Sequence, residues 1–343
     1  MGKMLLINFQ GLGNTVLMFP LLKELRRHNR NVGIDMLVRD PIIPELLAPE
    51  NVIDNFLIYR RDAKGIELFK SRISVLKDIR GKFYDSVINF EQTQTLSSII
   101  LMFMIKAKEK IGINAVGKLR SPYHYSVTFS PQQSESDLYK GIGELSGCGS
   151  FHLSFPFFSL AEDDVNRVSE LLPNKNRTII GIHPGSGVKM LYKRWPKERF
   201  AELSHRLVTE KGVSVVIFGG HREIALGEAI LKQSNTDHIY NLAGKLTIRE
   251  TAAAVIHCSR IISNDSGIMH LAAAMGVSVI SLFGPTSAIK NAPVGENNRL
   301  LCGPGCCVSS NEMCPECHQA WESESKIPHC LENLKVEAVL DAV

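Results

Sequence analysis

The chain has 343 residues, 44% of them apolar and 22% charged, with a formal net charge of +4. That length suits two domains of ordinary size, and the composition is that of a soluble globular protein rather than a fibrous or disordered one. So mild a charge excludes a dedicated nucleic-acid binder, and no stretch reaches the roughly 18 uninterrupted apolar residues of a membrane span. The longest candidate, residues 96–108 (LSSIILMFMIKAK), reads as a buried helix. Met1 to Phe9 carries one lysine and a short apolar run ending in a glycine turn, unlike a signal peptide, so a cytoplasmic protein is expected.

Residues 4–9 (MLLINF) predict a strand, which meets the glycine loop Gly11-Leu12-Gly13-Asn14. Residues 16–28 follow with Leu17, Leu21, Leu22 and Leu25 at helical spacing. Strands are expected at 31–39 and 51–59, with PIIPELLAPE between them as a short helix bounded by prolines. A helix at 65–80, a strand at 83–91 ending in Glu91, a helix at 93–106 and the short strand KIGIN continue the alternation. This rhythm implies a parallel sheet with helices on both faces. Residues 120–160 are polar and turn-rich and read as an irregular linker, followed by a connecting helix at 161–173.

The rhythm then restarts with RTIIGIHPG, VSVVIFGG, HIYNLAG, RIISND and VSVISLFGP as strands. Helices at 197–211, 222–233, 247–257 and 267–275 separate them. The expected fold is α/β, with two Rossmann-like doubly wound domains, residues 1–158 and 159–343, facing across a cleft. Ligands of such sheets bind at the carboxyl ends of the strands, and domain interfaces are favoured sites.

Three of the later loops carry chemistry. Asn264-Asp265-Ser266-Gly267 closes a strand and opens a helix, whose first free N–H groups and dipole suit an anion such as a diphosphate; an ordinary capped helix is the plain alternative. His270, one turn in, is either a packed helix residue or a phosphate donor. GIHPGSGVKMLYKRWP offers small residues, Ser186, and then Lys189, Lys193 and Arg194, where a lysine supplies a point charge for phosphate. VVIFGGHRE places Glu223 either to accept from sugar hydroxyls or as a first-turn acid favoured by the helix dipole. Two basic runs, 23–30 and 105–112, are solvated faces or, alternatively, attract an anionic acceptor or a membrane surface.

Taken together, HPGS…KRWP, FGG..E, LAGKLT and SNDSG.MHLAAA.G…LFGPT resemble glycosyltransferase family 9, the bacterial heptosyltransferases of lipopolysaccharide. The resemblance runs from the GLGNT loop to the cysteine-rich tail and is most specific over 181–286. It implies a GT-B fold and an inverting, metal-independent transfer from ADP-heptose to a sugar hydroxyl. The partners implied are a nucleotide-diphosphate sugar and an anionic glycolipid or glycan, with peripheral contact at the inner membrane and no nucleic acid. Residue by residue it places Ser186 and Lys193 on the phosphates and Glu223 on the ribose. Lys245 and Leu246 fall at the adenine, and Asp265, Ser266, Gly267 and His270 at the diphosphate and heptose. The absence of any D-x-D agrees with metal independence, since a lysine and a helix N-terminus can neutralise the leaving diphosphate.

The family's first loop usually reads G-x-G-D, where the aspartate is thought to deprotonate the acceptor. Here Gly13 is followed by Asn14, and an amide can position a hydroxyl but cannot take its proton at neutral pH. Another carboxylate serves, or the chemistry differs, or the chain binds without catalysing. Glu91 is the candidate replacement, with a helix N-cap neighbour as its plain reading. A silent nucleotide-sugar-binding homologue and a GT-B nucleotide-sugar epimerase are the other readings. A dinucleotide site, with Asp35 on the ribose, is disfavoured because Val16 stands where the third glycine belongs and Asp35 falls inside its strand.

Six of eight cysteines fall between Cys302 and Cys330, with C-x-x-C at Cys314 and Cys317 and with His318 and His329 nearby. In a cytoplasmic chain this favours either a structural zinc site or packed, reduced thiols over disulfides. No cofactor is required by the expected chemistry.

Overall fold

The computed structural model describes residues 2–343 apart from 60–64, 93–94, 115–120, 129, 131–132, 174–175, 188–189, 305–316, 320–321 and 323–326. The chain divides into two compact units, Met1–Leu153 and Ser154–Val343. The division thus falls after Leu153, a few residues before the one expected after residue 158, and 154–158 packs with the second unit: Phe157 N–H donates to the Ala274 carbonyl at 2.8 Å.

The first unit is a six-stranded parallel sheet of order β3-β2-β1-β4-β5-β6. Its strands are β1 (Lys3–Asn8), β2 (Gly33–Val38), β3 (Asn55–Ile58), β4 (Phe83–Asn89), β5 (Lys106–Asn114) and β6 (Tyr125–Thr128). Its helices are α1 (Leu12–His28), α2 (Ile42–Leu47), α3 (Gly65–Arg80), α4 (Leu96–Met104) and α5 (Glu135–Leu145). The near-continuous apolar runs of β1 and β2 are buried on both faces, as an interior parallel strand requires. Asp35, within β2, is a buried structural acid that accepts from Lys82 Nζ at 2.7 Å, Asn55 Nδ2 at 2.9 Å and the Tyr84 hydroxyl at 3.2 Å.

Residues 120–160 are therefore not a linker, for they supply β6 and α5. Two glycines hide α5 from a reading by propensity, and both pack tightly against neighbouring side chains. A Cβ on Gly141 would fall 3.2 Å from Val127, and one on Gly143 would fall 3.2 Å from Leu21. The basic run 105–112 is also no helix face or turn, because it forms most of β5, where Lys108 pairs with Asp85 at 2.5 Å. The other run, 23–30, ends α1, where Arg26 binds Asp54 at 2.7 Å.

The second unit repeats the order as β12-β11-β10-β7-β8-β9, again all parallel. The strands are β7 (Ile179–His183), β8 (Ser214–Ile217), β9 (Ile239–Asn241), β10 (Arg260–Asn264), β11 (Val279–Leu282) and β12 (Arg299–Leu301). The helices are α6 (Glu162–Leu171), α7 (Lys197–Lys211), α8 (Ile224–Ser234), α9 (Ile248–Val255), α10 (Gly267–Ala274), α11 (Ala288–Asn291), α12 (His329–Asn333) and α13 (Val336–Leu340). The helix α6 packs on α9, where Arg167 meets Glu250 at 2.8 Å. The last two helices close the core from one side, with Leu331, Leu334, Val336, Val339 and Leu340 buried against Trp195 and Phe200. Trp195 donates its indole N–H to the Leu334 carbonyl at 3.0 Å. Among the described residues, no helix is long and apolar enough to cross a membrane.

Candidate active site

In each sheet the strand order reverses between two central strands, β1 and β4 in the first and β7 and β10 in the second. That reversal opens a crevice at the carboxyl ends, where doubly wound sheets bind ligands. In the second unit the two flanking loops are those of HPGS and NDSG, joined in register at Ser263 and His183.

The side chain of Asn264 fastens these loops together. Its Oδ1 accepts from Trp195 N–H at 3.0 Å, while its Nδ2 donates to the carbonyls of Pro184 at 2.9 Å and Gly185 at 3.3 Å. Next to it, Asp265 Oδ2 accepts from Lys193 Nζ at 2.8 Å, Thr286 Oγ1 at 2.7 Å and Asn291 Nδ2 at 3.3 Å. Burial pushes the Asp265 carboxyl upward, but Lys193 and Thr286 outweigh it and hold the group below its ordinary value. The carboxylate thus ties the loop after β7 and the segment after β11 to the start of α10. Ser266 caps that helix by accepting from Met269 N–H, and the opening turn carries the positive end of the helix dipole.

Two buried histidines complete the floor. His183 Nδ1 lies 2.9 Å from Ser266 Oγ, and burial followed by the nearby Arg194 charge lowers its pKa to about 3. Burial lowers His270 to about 4, although Asp265 pulls it the other way. Both rings are therefore neutral at physiological pH. His270 Nδ1 is buried and has no hydrogen-bond partner among the described residues, so it is a polar atom with capacity for a ligand.

Ser186 and Glu223 meet through Arg194. The guanidinium donates to Ser186 Oγ at 3.1 Å and approaches Glu223 Oε1 at 3.5 Å, while Ser186 donates to the Met190 carbonyl at 2.7 Å. Glu223 also accepts from Gly220 N–H at 2.9 Å, closing the turn ahead of α8. Its stem fills the space that side chains would take at Gly185 and Gly219, since a Cβ at either would fall 2.7 Å from it. Lys245 and Leu246 stand on the loop after β9, at the same edge. There Gly244 adopts φ +74°, a conformation that favours glycine. Lys189 lies outside the described residues.

In the first unit Gly13 and Asn14 are in the opening turn of α1, and Glu91 lies two residues beyond β4, not on the strand itself. Gln10 links the two loops by accepting from Asn14 Nδ2 and donating to the Phe90 carbonyl. Glu91 is buried, with Arg39 at 3.7 Å from Oε1 and no hydrogen-bond partner for Oε2 among the described residues. Burial raises its pKa above the ordinary carboxylate value, against the pull of Arg39 and Ser98. A second carboxylate, Glu135, is buried at the start of α5 and accepts from Gln92. Burial, and then Glu135, raise the Tyr139 phenol well above its usual value, and Asn14 lies beside that ring as well.

Every expected site residue therefore falls at a strand-end loop or the first turn of the following helix. Sequence reasoning missed Arg194's link between Ser186 and Glu223 and Asn264's fastening of the two loops, and it missed Thr286, Asn291 and Glu135. Asn264 and Thr286 had a signal, as parts of SNDSG and LFGPT; the others act through pairings that spacing does not reveal.

Two doubly wound domains of this kind, each with its loops gathered at the switch point, define the GT-B class of glycosyltransferase architecture. The pattern of glycosyltransferase family 9 (heptosyltransferase) matches residues 72–319, and the chain belongs to that family. Lipooligosaccharide heptosyltransferase 2 of Haemophilus influenzae is 35% identical over 128 residues, 36% of either chain. Against four heptosyltransferases 2 of this kind the match spans less than half of the relative's length, 36% to 45%. Lipopolysaccharide heptosyltransferase 3 of Escherichia coli is 26% identical over 293 residues, 83% of each chain. In fold, the chain is similar to the solved E. coli ADP-heptose lipopolysaccharide heptosyltransferase II, with a TM-score of 0.74, 21% identity and coverage of 99% of this chain and 97% of that one.

Proposed function

We propose that this protein transfers a heptose from an ADP-sugar to a hydroxyl of a lipopolysaccharide-core type of acceptor, with inversion and without a metal at the diphosphate. The observation that carries the reading is the Lys193–Asp265–Thr286–Asn291 knot at the start of α10, in a member of a heptosyltransferase family. Lysine has three donors and spends one on Asp265, leaving the others for phosphate oxygens. With the N–H groups of the α10 opening turn they would neutralise the charge that develops on the leaving diphosphate. His270 Nδ1 would find its missing partner in the donor. Ser186 and Glu223, already linked by Arg194, would line the nucleoside side, with the backbone at Lys245 and Leu246 facing the base.

Glu91 is assigned as the base. A buried carboxylate with a raised pKa and an uncommitted oxygen can take a proton from an acceptor hydroxyl as that hydroxyl attacks the anomeric carbon. Asn14 is assigned to position the acceptor, as an amide can. The apolar side chains Leu96, Ile100 and Phe103, exposed at i, i+4 and i+7 along α4, support peripheral contact with the membrane that carries such an acceptor.

The reading is tested by thermal shift against ADP-, UDP- and GDP-sugars, followed by product analysis with a heptose-accepting core oligosaccharide. Stabilisation by ADP-heptose and a mass gain of one heptose on the oligosaccharide are expected. No response to any nucleotide sugar would sink it. The amide at position 14 favours one second reading, binding without transfer, which predicts the thermal shift but no product.

A further inference from the structure

We propose that Arg194 is a positioning residue for the nucleotide: it fixes the Glu223 carboxylate against the ribose hydroxyls and so makes the site selective for a ribonucleotide. In the function proposed above, on which this rests, Glu223 faces the nucleoside.

Glu223 is held from three sides. Its stem is wedged between two loops, since a Cβ on Gly185 would fall 2.7 Å from its Cγ and one on Gly219 would fall 2.7 Å from its Cβ. Its Oε2 accepts from Gly220 N–H at 2.9 Å. The other oxygen, Oε1, pairs with Arg194 Nη2 at 3.5 Å. The two side chains are 23% and 14% exposed, so their attraction is screened less than that of an exposed pair. A carboxylate oxygen has two lone pairs, and Oε1 can accept from a ribose hydroxyl while Arg194 stays in place.

The arginine is itself anchored. Its Nε donates to Ser186 Oγ at 3.1 Å, and the Ser186 hydroxyl turns its single hydrogen to the Met190 carbonyl at 2.7 Å. The serine side chain thus serves the guanidinium, and the planar fork cannot swing away from Glu223 without losing its grip on Ser186 as well. A lysine here would supply the charge but not the two fixed donors. Three of the five N–H groups have no partner among the described residues, so direct contact with a donor phosphate is the rival role, and it predicts a different result. The cysteine tail of the same unit shows no comparable convergence. Cys306, Cys307 and Cys314 lie outside the described residues, and among the described ones no three metal-ligating side chains meet.

Calorimetric titration of the full chain with ADP and with 2′,3′-dideoxy-ADP separates the two roles, because only the first offers ribose hydroxyls. A site that hydrogen-bonds a hydroxyl rejects an analogue lacking it, and the wild type is expected to prefer ADP by about tenfold or more. Arg194→Met should weaken ADP severalfold and leave the dideoxy nucleotide nearly unchanged, so that the preference collapses as it does in Glu223→Gln. The control Arg206→Met, which breaks a pair with Glu210 on α7, should keep the full preference. Should Arg194→Met fail to fold, Arg194→Lys carries the test, with a severalfold loss of preference expected. Equal weakening of both nucleotides would make Arg194 a phosphate contact and overturn the inference, as would an undiminished preference in either arginine variant. A wild type that binds neither nucleotide overturns the donor reading and this inference with it. One that binds both alike overturns the inference and leaves the donor reading standing.

Discussion

Lys193 and Asp265, 72 residues apart in the chain, form a 2.8 Å ion pair whose side chains are only 12% and 6% exposed. A buried pair of this kind gives modest net stability while intact, but losing one partner leaves a charge without compensation. Lys193→Met is therefore expected to destabilise the second unit by roughly 3 kcal/mol or more. Asp265→Asn should cost a similar amount, and the double variant should cost less than the sum of the two. Urea unfolding measures all three. Single losses below about 1 kcal/mol would mean that water reaches the pair and compensates it.

The two neutral histidines make stability depend on pH. Their folded values, about 3 for His183 and about 4 for His270, lie below the unfolded value of about 6.5. The unfolded chain thus binds more protons across that interval, and stability rises with pH there. The contribution is fully present above about pH 6.5 and is lost as the pH falls toward 4 and then 3. Lysine-paired Asp265, held below its ordinary value, adds a loss in the same direction at lower pH still. Denaturant midpoints measured between pH 7 and pH 4 should fall, by an amount on the order of 3 kcal/mol per histidine if the chain unfolds in one step. His270→Gln should flatten part of that fall; an unchanged slope would show that the ring is not neutral in the fold.

The exposed stripe on α4 makes a separate prediction. Leu96 is 71% exposed, Ile100 50% and Phe103 63%, on a helix whose start is fixed by a capping box between Thr95 and Ser98. Fully burying such side chains in an apolar phase is worth about 2 kcal/mol each. Replacing all three by serine should lower co-sedimentation with vesicles of bacterial phospholipid by at least tenfold without changing the thermal midpoint by more than a few degrees. Equal sedimentation of both proteins would remove the membrane from the reading.

Much of this fold was legible because interior parallel strands are apolar throughout and the intervening helices keep a regular apolar face. It failed where packing overrode propensity. The glycines of α5 read as turn residues, yet a side chain at either would have to push Val127 or Leu21 aside by a few tenths of an ångström. The lysines of β5 read as solvated helix or turn, yet the strand edge lets them reach outward, as Lys108 does to Asp85. At the site, the motif residues were found, but their partners were not. Apart from the bond from Arg194 to Ser186, 8 residues away, Arg194, Asn264, Asn291 and Glu135 matter through contacts 26 to 80 residues away, and no local spacing encodes such contacts.

The sharpest prediction concerns the base. Glu91 must lose its proton to act, and burial raises its pKa, so transfer should rise with pH along a limb lying above the ordinary carboxylate range. Glu91→Gln should lower kcat by about 10²-fold or more and abolish that limb, while donor binding by thermal shift stays as it was. Asn14→Asp would set a carboxylate beside Gln10 and Tyr139, and it should restore part of the lost rate in the Glu91→Gln background. Asn14→Ala, which removes only a positioning amide, should raise KM for the acceptor more than it lowers kcat. Glu135→Gln is the deciding comparison. If it abolishes transfer while Glu91→Gln leaves it intact, the proton goes to the carboxylate at the start of α5 instead.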